Sequence, residues 1–325
     1  MNNFKDKRVL VTGATGFIGS HLVRRLLIEG AEVHILIREG SNCYRIKDVM
    51  QNLIVWQGEL RDYNSIVHCI RNSKPQVIYH LAAYRNVKRD LNLVDSMIDT
   101  NVKGVMGLLK TIAETDNFLE CFVNTGTCEE YGDGATPFHE EQREMPVSSY
   151  SASKVAATYF CQMVYKTVGL PIVTLRPFLT YGAYQDIDLF IPSLIYHCLI
   201  KKDFKMTEGS QTREFNYIDD IVQAYILAVV SPGVIGETIN IGNGLEYRIK
   251  DVAENIVKMM GNPIRLLVNT LSKRPGETAH FYCDNKKAKS LLNWSPRIGL
   301  QEGLERTISW YKNNLEGINN LNDQI

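Results

Sequence analysis

The strongest constraint on the fold lies in the first twenty residues. Val9-Leu10-Val11-Thr12 runs without a break into Gly13-Ala14-Thr15-Gly16-Phe17-Ile18-Gly19, and an apolar helical pattern follows at once. A short β-branched run that ends in spaced glycines and turns into a helix reads as the start of a βαβ unit. Glycines let the backbone of such a turn approach a ligand closely, and the amide groups at the helix N-terminus receive an anion such as a pyrophosphate. The turn therefore predicts a dinucleotide site built from Gly13, Thr15, Gly16, Phe17, Ile18 and Gly19.

The same alternation continues along the first half of the chain. Strands are expected over Arg8–Thr12, Glu32–Ile37, Ile54–Gln57, Val77–Leu81, Phe118–Asn124 and Ile172–Leu175. Between them, Phe17–Glu29, Asn64–Arg71, Leu93–Thr115 and Ser149–Thr167 carry apolar residues at helical spacing. This is the pattern of an α/β fold, a Rossmann doubly wound parallel sheet. After Pro177 the rhythm breaks, leaving helical runs over Leu189–Ile200 and Ile249–Met260 and a strand-like Thr238–Ile241. The expected division is a dinucleotide-binding domain of residues 1–178 plus about 215–245, and a smaller C-terminal substrate domain of about 179–214 plus 246–325. Asn313–Ile325 is polar and Asn-rich, and is expected to fray.

Composition narrows the partners. Lys+Arg and Asp+Glu both number 36, so the formal net charge of zero offers no field that would attract nucleic acid or a membrane surface. The charged start lacks a long apolar run, which predicts neither a signal peptide nor a membrane span and places the protein in the cytoplasm. The seven cysteines are scattered, with no zinc-ligand spacing, so reduced thiols and no metal are expected.

Tyr150-Ser151-Ala152-Ser153-Lys154 falls on a predicted helix, where a spacing of four puts Tyr150 and Lys154 on one face. A tyrosine hydroxyl is a poor base at neutral pH, but a neighbouring ammonium favours its phenolate. Placed after the fifth strand of a dinucleotide fold, the pair can exchange a proton with a hydroxyl or ketone of a bound substrate.

Here a family resemblance emerges, because Gly-x-x-Gly-x-x-Gly is the spacing of the short-chain dehydrogenases/reductases. Over nearly its whole length the chain resembles the extended members of that family that act on nucleotide sugars as epimerases, dehydratases and 4-keto reductases. The resemblance sets Leu81, Ala82 and Ala83 beside the cofactor, makes Asn101 the family's buried helix asparagine, and puts Glu59 and Leu60 against the adenine. At the end of the second strand, Leu36-Ile37-Arg38 has no carboxylate for a ribose 2′-hydroxyl, and Arg38 suits a 2′-phosphate, which favours NADP over NAD. The stretch Thr125-Gly126-Thr127-Cys128-Glu129-Glu130-Tyr131-Gly132 resembles the family's Ser/Thr-x-x-x-Tyr-Gly, giving Thr127 the hydroxyl role beside Tyr150 and Lys154. Cys128 and Glu129 stand where the dehydratases commonly carry an acid and a glutamate. They read either as an acid/base pair for elimination or as a packed thiol and a turn cap.

On the substrate side the resemblance implies Arg85, Thr127, Arg213 and Arg274, the last two as guanidinium partners of a substrate pyrophosphate. Leu179 departs from the family, many members of which have asparagine there. Taken together, Arg38 and Leu179 point first to reduction at C4 of a nucleotide-linked 4-keto-deoxysugar. A 4-epimerase or dehydratase with internally recycled cofactor is the alternative, and a catalytically silent dinucleotide-binding protein is the rival of another class. The resemblance also implies a homodimer packed through the helices Leu93–Thr115 and Ser149–Thr167.

Overall fold

The computed structural model describes residues 3–86, 88, 90–115, 119–272 and 278–315. Seven parallel strands form the main sheet: β1 Arg8–Thr12, β2 Glu32–Ile37, β3 Ile54–Gln57, β4 Val77–His80, β5 Cys121–Thr125, β6 Ile172–Pro177 and β7 Thr238–Ile241, in the order β7-β6-β5-β4-β1-β2-β3. The alternation along β1 shows how the sheet is held. Val9 and Val11 belong to one apolar cluster and Leu10 to another, because successive side chains point to opposite faces and both faces are covered.

On one face, the helices Phe17–Ile28 and Ile218–Val230 pack together; on the other lie Tyr63–Ser73, Gly104–Ala113 and Ser149–Val168. The sequence turns away from β1 in both directions, toward β2 on one side and β4 on the other. A crevice therefore opens at the carboxyl ends of these strands, where Thr12 is in register with Leu36 and His80.

The C-terminal helices Phe190–Leu199, Ile249–Met259 and Leu300–Asn313 share the apolar cluster of Val9 and Val11 through Leu194, Ile195, Val252, Ile256 and Leu304. Trp294, 1% exposed, locks this region to the sheet by donating its indole N–H to the Asp220 carbonyl at 2.9 Å. Truncating a buried indole to a methyl group costs about 3–5 kcal/mol.

Several elements differ from the sequence expectation, among them the helices Lys286–Leu292 and Leu300–Asn313, which were not expected. The run expected as one helix over Leu93–Thr115 is a succession of a 3-10 turn at Leu91–Leu93, a helical turn at Val94–Met97, a wider π turn at Ile98–Lys103 and the helix Gly104–Ala113. Apolar periodicity cannot distinguish these, and the bulge sits where Asn101 turns inward. The helix Ile218–Val230 was not expected, because it is buried on most sides and shows no clean polar face. The fifth strand runs from Cys121 to Thr125, and Phe118 lies outside the described residues.

Candidate functional site

The site begins at the turn after β1. Gly13 has φ +75°, and a Cβ there would meet the Ala82 nitrogen at 2.6 Å and the Leu81 carbonyl carbon at 2.7 Å. A Cβ on Gly19 would lie 2.1 Å from the Gly13 oxygen. The first turn of the helix is therefore pressed against its own entry loop and against the loop after β4, a cradle only glycine can form. Thr12 Oγ1 ties the two loops together, meeting His80 Nδ1 at 2.8 Å and accepting the Ala82 N–H at 3.3 Å. Burial pushes His80 down to about 3, with the Lys154 charge adding to the effect, so the ring is neutral.

Two cavities meet at Gly13 and Gly16. The first, about 380 Å³, runs over Thr15, Arg38, Ser41, Glu59, Leu60 and Arg61, and is closed by Leu81, Ala82 and Ala83. Glu59 turns its carboxylate toward Arg61, whose Nε donates to it at 2.6 Å. Neither Ser41 nor Arg61 stands in the glycine motif; both arrive because β2 and β3 end side by side. The second cavity, about 450 Å³, is lined by Phe17, Ile18 and Gly19, by Arg85, by Thr127, Cys128, Glu129 and Tyr150, and by an apolar wall that includes Phe178, Leu179, Phe190 and Phe215. The glycine backbone and helix N-terminus at the junction would suit a dinucleotide pyrophosphate.

The Thr127 turn and the first turn of the Ser149–Val168 helix form one wall of the second cavity. Ser148 caps that helix, its Oγ accepting the Ser151 N–H at 3.0 Å, which sets Tyr150 in the first turn. Burial raises the Tyr150 hydroxyl above its ordinary range, against the pull of the Arg85 charge and of the nearby Thr127. The sequence reading gave that lowering influence to Lys154. Lys154, 3% exposed, instead lies one turn deeper, outside the lining of both cavities, where burial lowers it and the Glu130 carboxylate opposes the shift.

Asn101 also lies outside both cavity linings. It is 2% exposed, accepts the Tyr84 N–H at 2.7 Å, and donates to the Tyr84 carbonyl at 3.1 Å and to Ser153 Oγ at 2.9 Å. It fastens the loop after β4 to the helix of Tyr150. Cys128 sits in a box of Tyr131, Phe138, Phe178, Phe281 and Cys283, and burial raises its thiol well above the usual range. Glu129 is half-buried beside it.

Arg213 is not among the residues lining the second cavity. Its guanidinium donates to the carbonyls of Thr212 at 2.6 Å and Thr278 at 3.0 Å and lies over the Phe281 ring. Arg274 lies outside the described residues. Sequence reasoning missed Glu130 and Arg176 as neighbours of the site. Both are buried, and they meet at 2.7 Å behind Thr127, from segments 46 residues apart.

Residues 10–307 match the family described as GDP-mannose 4,6 dehydratase. The chain belongs to that family. It is thus a member of the nucleotide-sugar epimerase/dehydratase group of the extended short-chain dehydrogenases/reductases. Within the group it is 30% identical over 329 residues to a dTDP-glucose 4,6-dehydratase of Haemophilus influenzae, covering 93% of this chain and 97% of that one. It is 29% identical to a UDP-glucuronate 4-epimerase of Thermodesulfobacterium geofontis, with 96% and 98% covered. Solved structures of the group superpose closely. DesIV, a dTDP-glucose 4,6-dehydratase from Streptomyces venezuelae with NAD and TYD bound, matches with TM-score 0.85 and 27% identity over 95% of this chain and 98% of that one. A UDP-glucuronic acid 4-epimerase from Bacillus cereus in complex with UDP-glucuronic acid and NAD matches with TM-score 0.84 and 28% identity over 94% and 99%. These relatives are dehydratases and epimerases, so the expectation of 4-keto reduction gains no support from them. Their bound cofactor is NAD, where the sequence favoured NADP for this chain. No helix among the described residues is long and apolar enough to cross a membrane.

Proposed function

We infer that this protein oxidises C4 of a nucleotide-diphosphate hexose and returns the hydride within the same site, as an epimerase or dehydratase does. The observation that supports this most directly is that Thr127 and Tyr150 stand together in the wall of the second cavity, which meets the glycine cradle at Gly13 and Gly16. When bound, the dinucleotide supplies the hydride acceptor. Tyr150 takes the proton of the C4 hydroxyl and gives one back, Thr127 holds the reacting oxygen, and the Arg85 charge, joined by the helix N-terminus and by Lys154 one turn deeper, favours the transient phenolate. Arg85, exposed at the cavity edge, meets the sugar nucleotide. The nucleotide is held by residues of the stretches 179–214 and 246–325, which we propose as the substrate domain.

Between the two outcomes, Cys128 favours epimerisation. A thiol held neutral in an aromatic box is a weaker proton donor to a departing hydroxide than the acid commonly found there in dehydratases. Glu129 in the cavity wall favours elimination, since its carboxylate can remove the proton α to a 4-ketone. We further propose NADP as the cofactor, supported by Arg38, Ser41 and Arg61 around the first cavity. A homodimer is supported by Tyr159, Phe160 and Met163, which stand 53%, 39% and 41% exposed on one helix.

The deciding experiment incubates purified protein with a panel of nucleotide sugars and no added cofactor, and reads products by NMR. A C4 epimer, or a 6-deoxy-4-keto sugar, is expected. Conversion only of 4-keto sugars with stoichiometric NADPH would return the assignment to a reductase.

A further inference from the structure

Behind the Thr127 turn lies a charged network that no step above uses. Glu130 is fully buried at 0% exposure, in the segment between Glu129 and Tyr131. One of its carboxylate oxygens accepts the Thr127 N–H at 2.8 Å; the other accepts from Arg176 Nε at 2.9 Å and from Thr158 Oγ1 at 3.1 Å. Arg176, 1% exposed at the end of β6, spreads its remaining donors to the Tyr131 hydroxyl at 2.9 Å and to Glu144 at 2.5 Å, with its guanidinium 4.8 Å from the Tyr131 ring centroid. Thr158 belongs to the helix that carries Tyr150 and Lys154. Gly126 leaves room for the arrangement, because a Cβ there would meet the Glu130 oxygen at 2.6 Å and Arg176 Cγ at 3.0 Å.

We propose that Glu130, clamped by Arg176, is a positioning residue for the Thr127–Tyr150–Lys154 centre, fixing the Thr127 turn through its backbone N–H and, held by Thr158 one helical turn from Lys154, placing buried negative charge near that lysine. The inference rests on the roles given above to Thr127, Tyr150 and Lys154. A buried ion pair alone is weak evidence of stability, so its place at this turn calls for another role. The carboxylate serves two functions there. As an acceptor it orients the turn that holds the reacting oxygen. As a charge it opposes the burial that drives Lys154 toward its neutral form, in a pocket where burial keeps the Cys161 thiol and the His80 ring uncharged.

The two functions separate experimentally. Glu130→Gln keeps an acceptor for the Thr127 N–H but removes the charge. Gly126→Ala keeps the charge but displaces the carboxylate. For Glu130→Gln, kcat is expected to fall about tenfold or more with KM and cofactor Kd within about threefold, and the alkaline limb of the kcat profile to move to lower pH. For Gly126→Ala, kcat falls while the alkaline limb stays where it is in the wild type. A purely structural pair predicts instead that activity follows the folded fraction in thermal unfolding and that neither pH profile moves, which would overturn the proposal. If Glu130→Gln does not fold, Gly126→Ala with unchanged kcat per folded molecule overturns it as well. Tyr150→Phe assayed in parallel separates the levels: full turnover by that variant removes the catalytic centre itself, whatever Glu130→Gln does.

Discussion

The two cavities that meet at Gly13 and Gly16 are built in different ways. The first is made where β1, β2, β3 and β4 end side by side, mostly from the short loops that follow them, with Ser96 and Thr100 completing the wall. The second is assembled from the Thr127 turn, the Ser149–Val168 helix, the segment after β6 and the Phe190–Leu199 helix, elements that come together only through packing. The contrast teaches that one half of the site is set by local chain geometry and the other by long-range contacts such as Glu130 to Arg176. Mutations should accordingly separate cofactor affinity from chemistry and from substrate affinity.

The largest expected effect tests that separation from within the second cavity. Tyr150→Phe removes a proton-transfer group without touching the glycine cradle, so kcat should drop by about 10²–10⁴-fold while dinucleotide affinity stays nearly intact. Turnover within a few-fold of wild type would refute the assignment, and a parallel loss of cofactor would mean that the two cavities are not separable. Next in size is Arg38→Ala, confined to the first cavity. Losing a charged hydrogen bond to a 2′-phosphate costs roughly 1.5–3 kcal/mol, so Kd for NADP(H) should rise about tenfold or more while that for NAD(H) barely changes. Equal losses for both cofactors in a titration would remove the case for NADP.

A smaller effect concerns stability where the regions touch. Burial holds His80 near 3 and His21, which meets the Ala183 carbonyl at 2.9 Å, near 4, both below the ordinary 6.5. Their folded values are depressed, so the unfolded chain binds more protons below pH 6.5. Stability is therefore fullest above that pH and declines as pH falls toward 4, by about 1.4 kcal/mol per pH unit for each histidine once its unfolded form is protonated. Thermal unfolding between pH 7 and 4.5 should show this decline, and His21→Gln, which can still donate to the carbonyl, should flatten about half of it. An unchanged slope in the variant would leave the acid sensitivity to other groups.

Smallest of all, Arg213→Ala should raise KM for the sugar nucleotide only a few-fold, because its guanidinium is turned to the Thr212 and Thr278 carbonyls. A tenfold rise would restore the direct phosphate contact implied by family resemblance and would tie the second cavity more closely to sequence motifs.

What could be read from the sequence alone was whatever depends on neighbours in the chain. The glycine turn, all seven sheet strands in their order of appearance, and the Tyr150–Lys154 spacing follow from side-chain periodicity and from the backbone freedom of glycine, both local properties. The tertiary structure alone decided which distant groups meet: the inward turn of Asn101 to Ser153, the burial of Cys128 among four aromatic rings, and the pairing of Glu130 with Arg176 behind Thr127. Contacts of that kind join segments tens of residues apart, and their strength comes from shared exclusion of water, which no window along the chain contains.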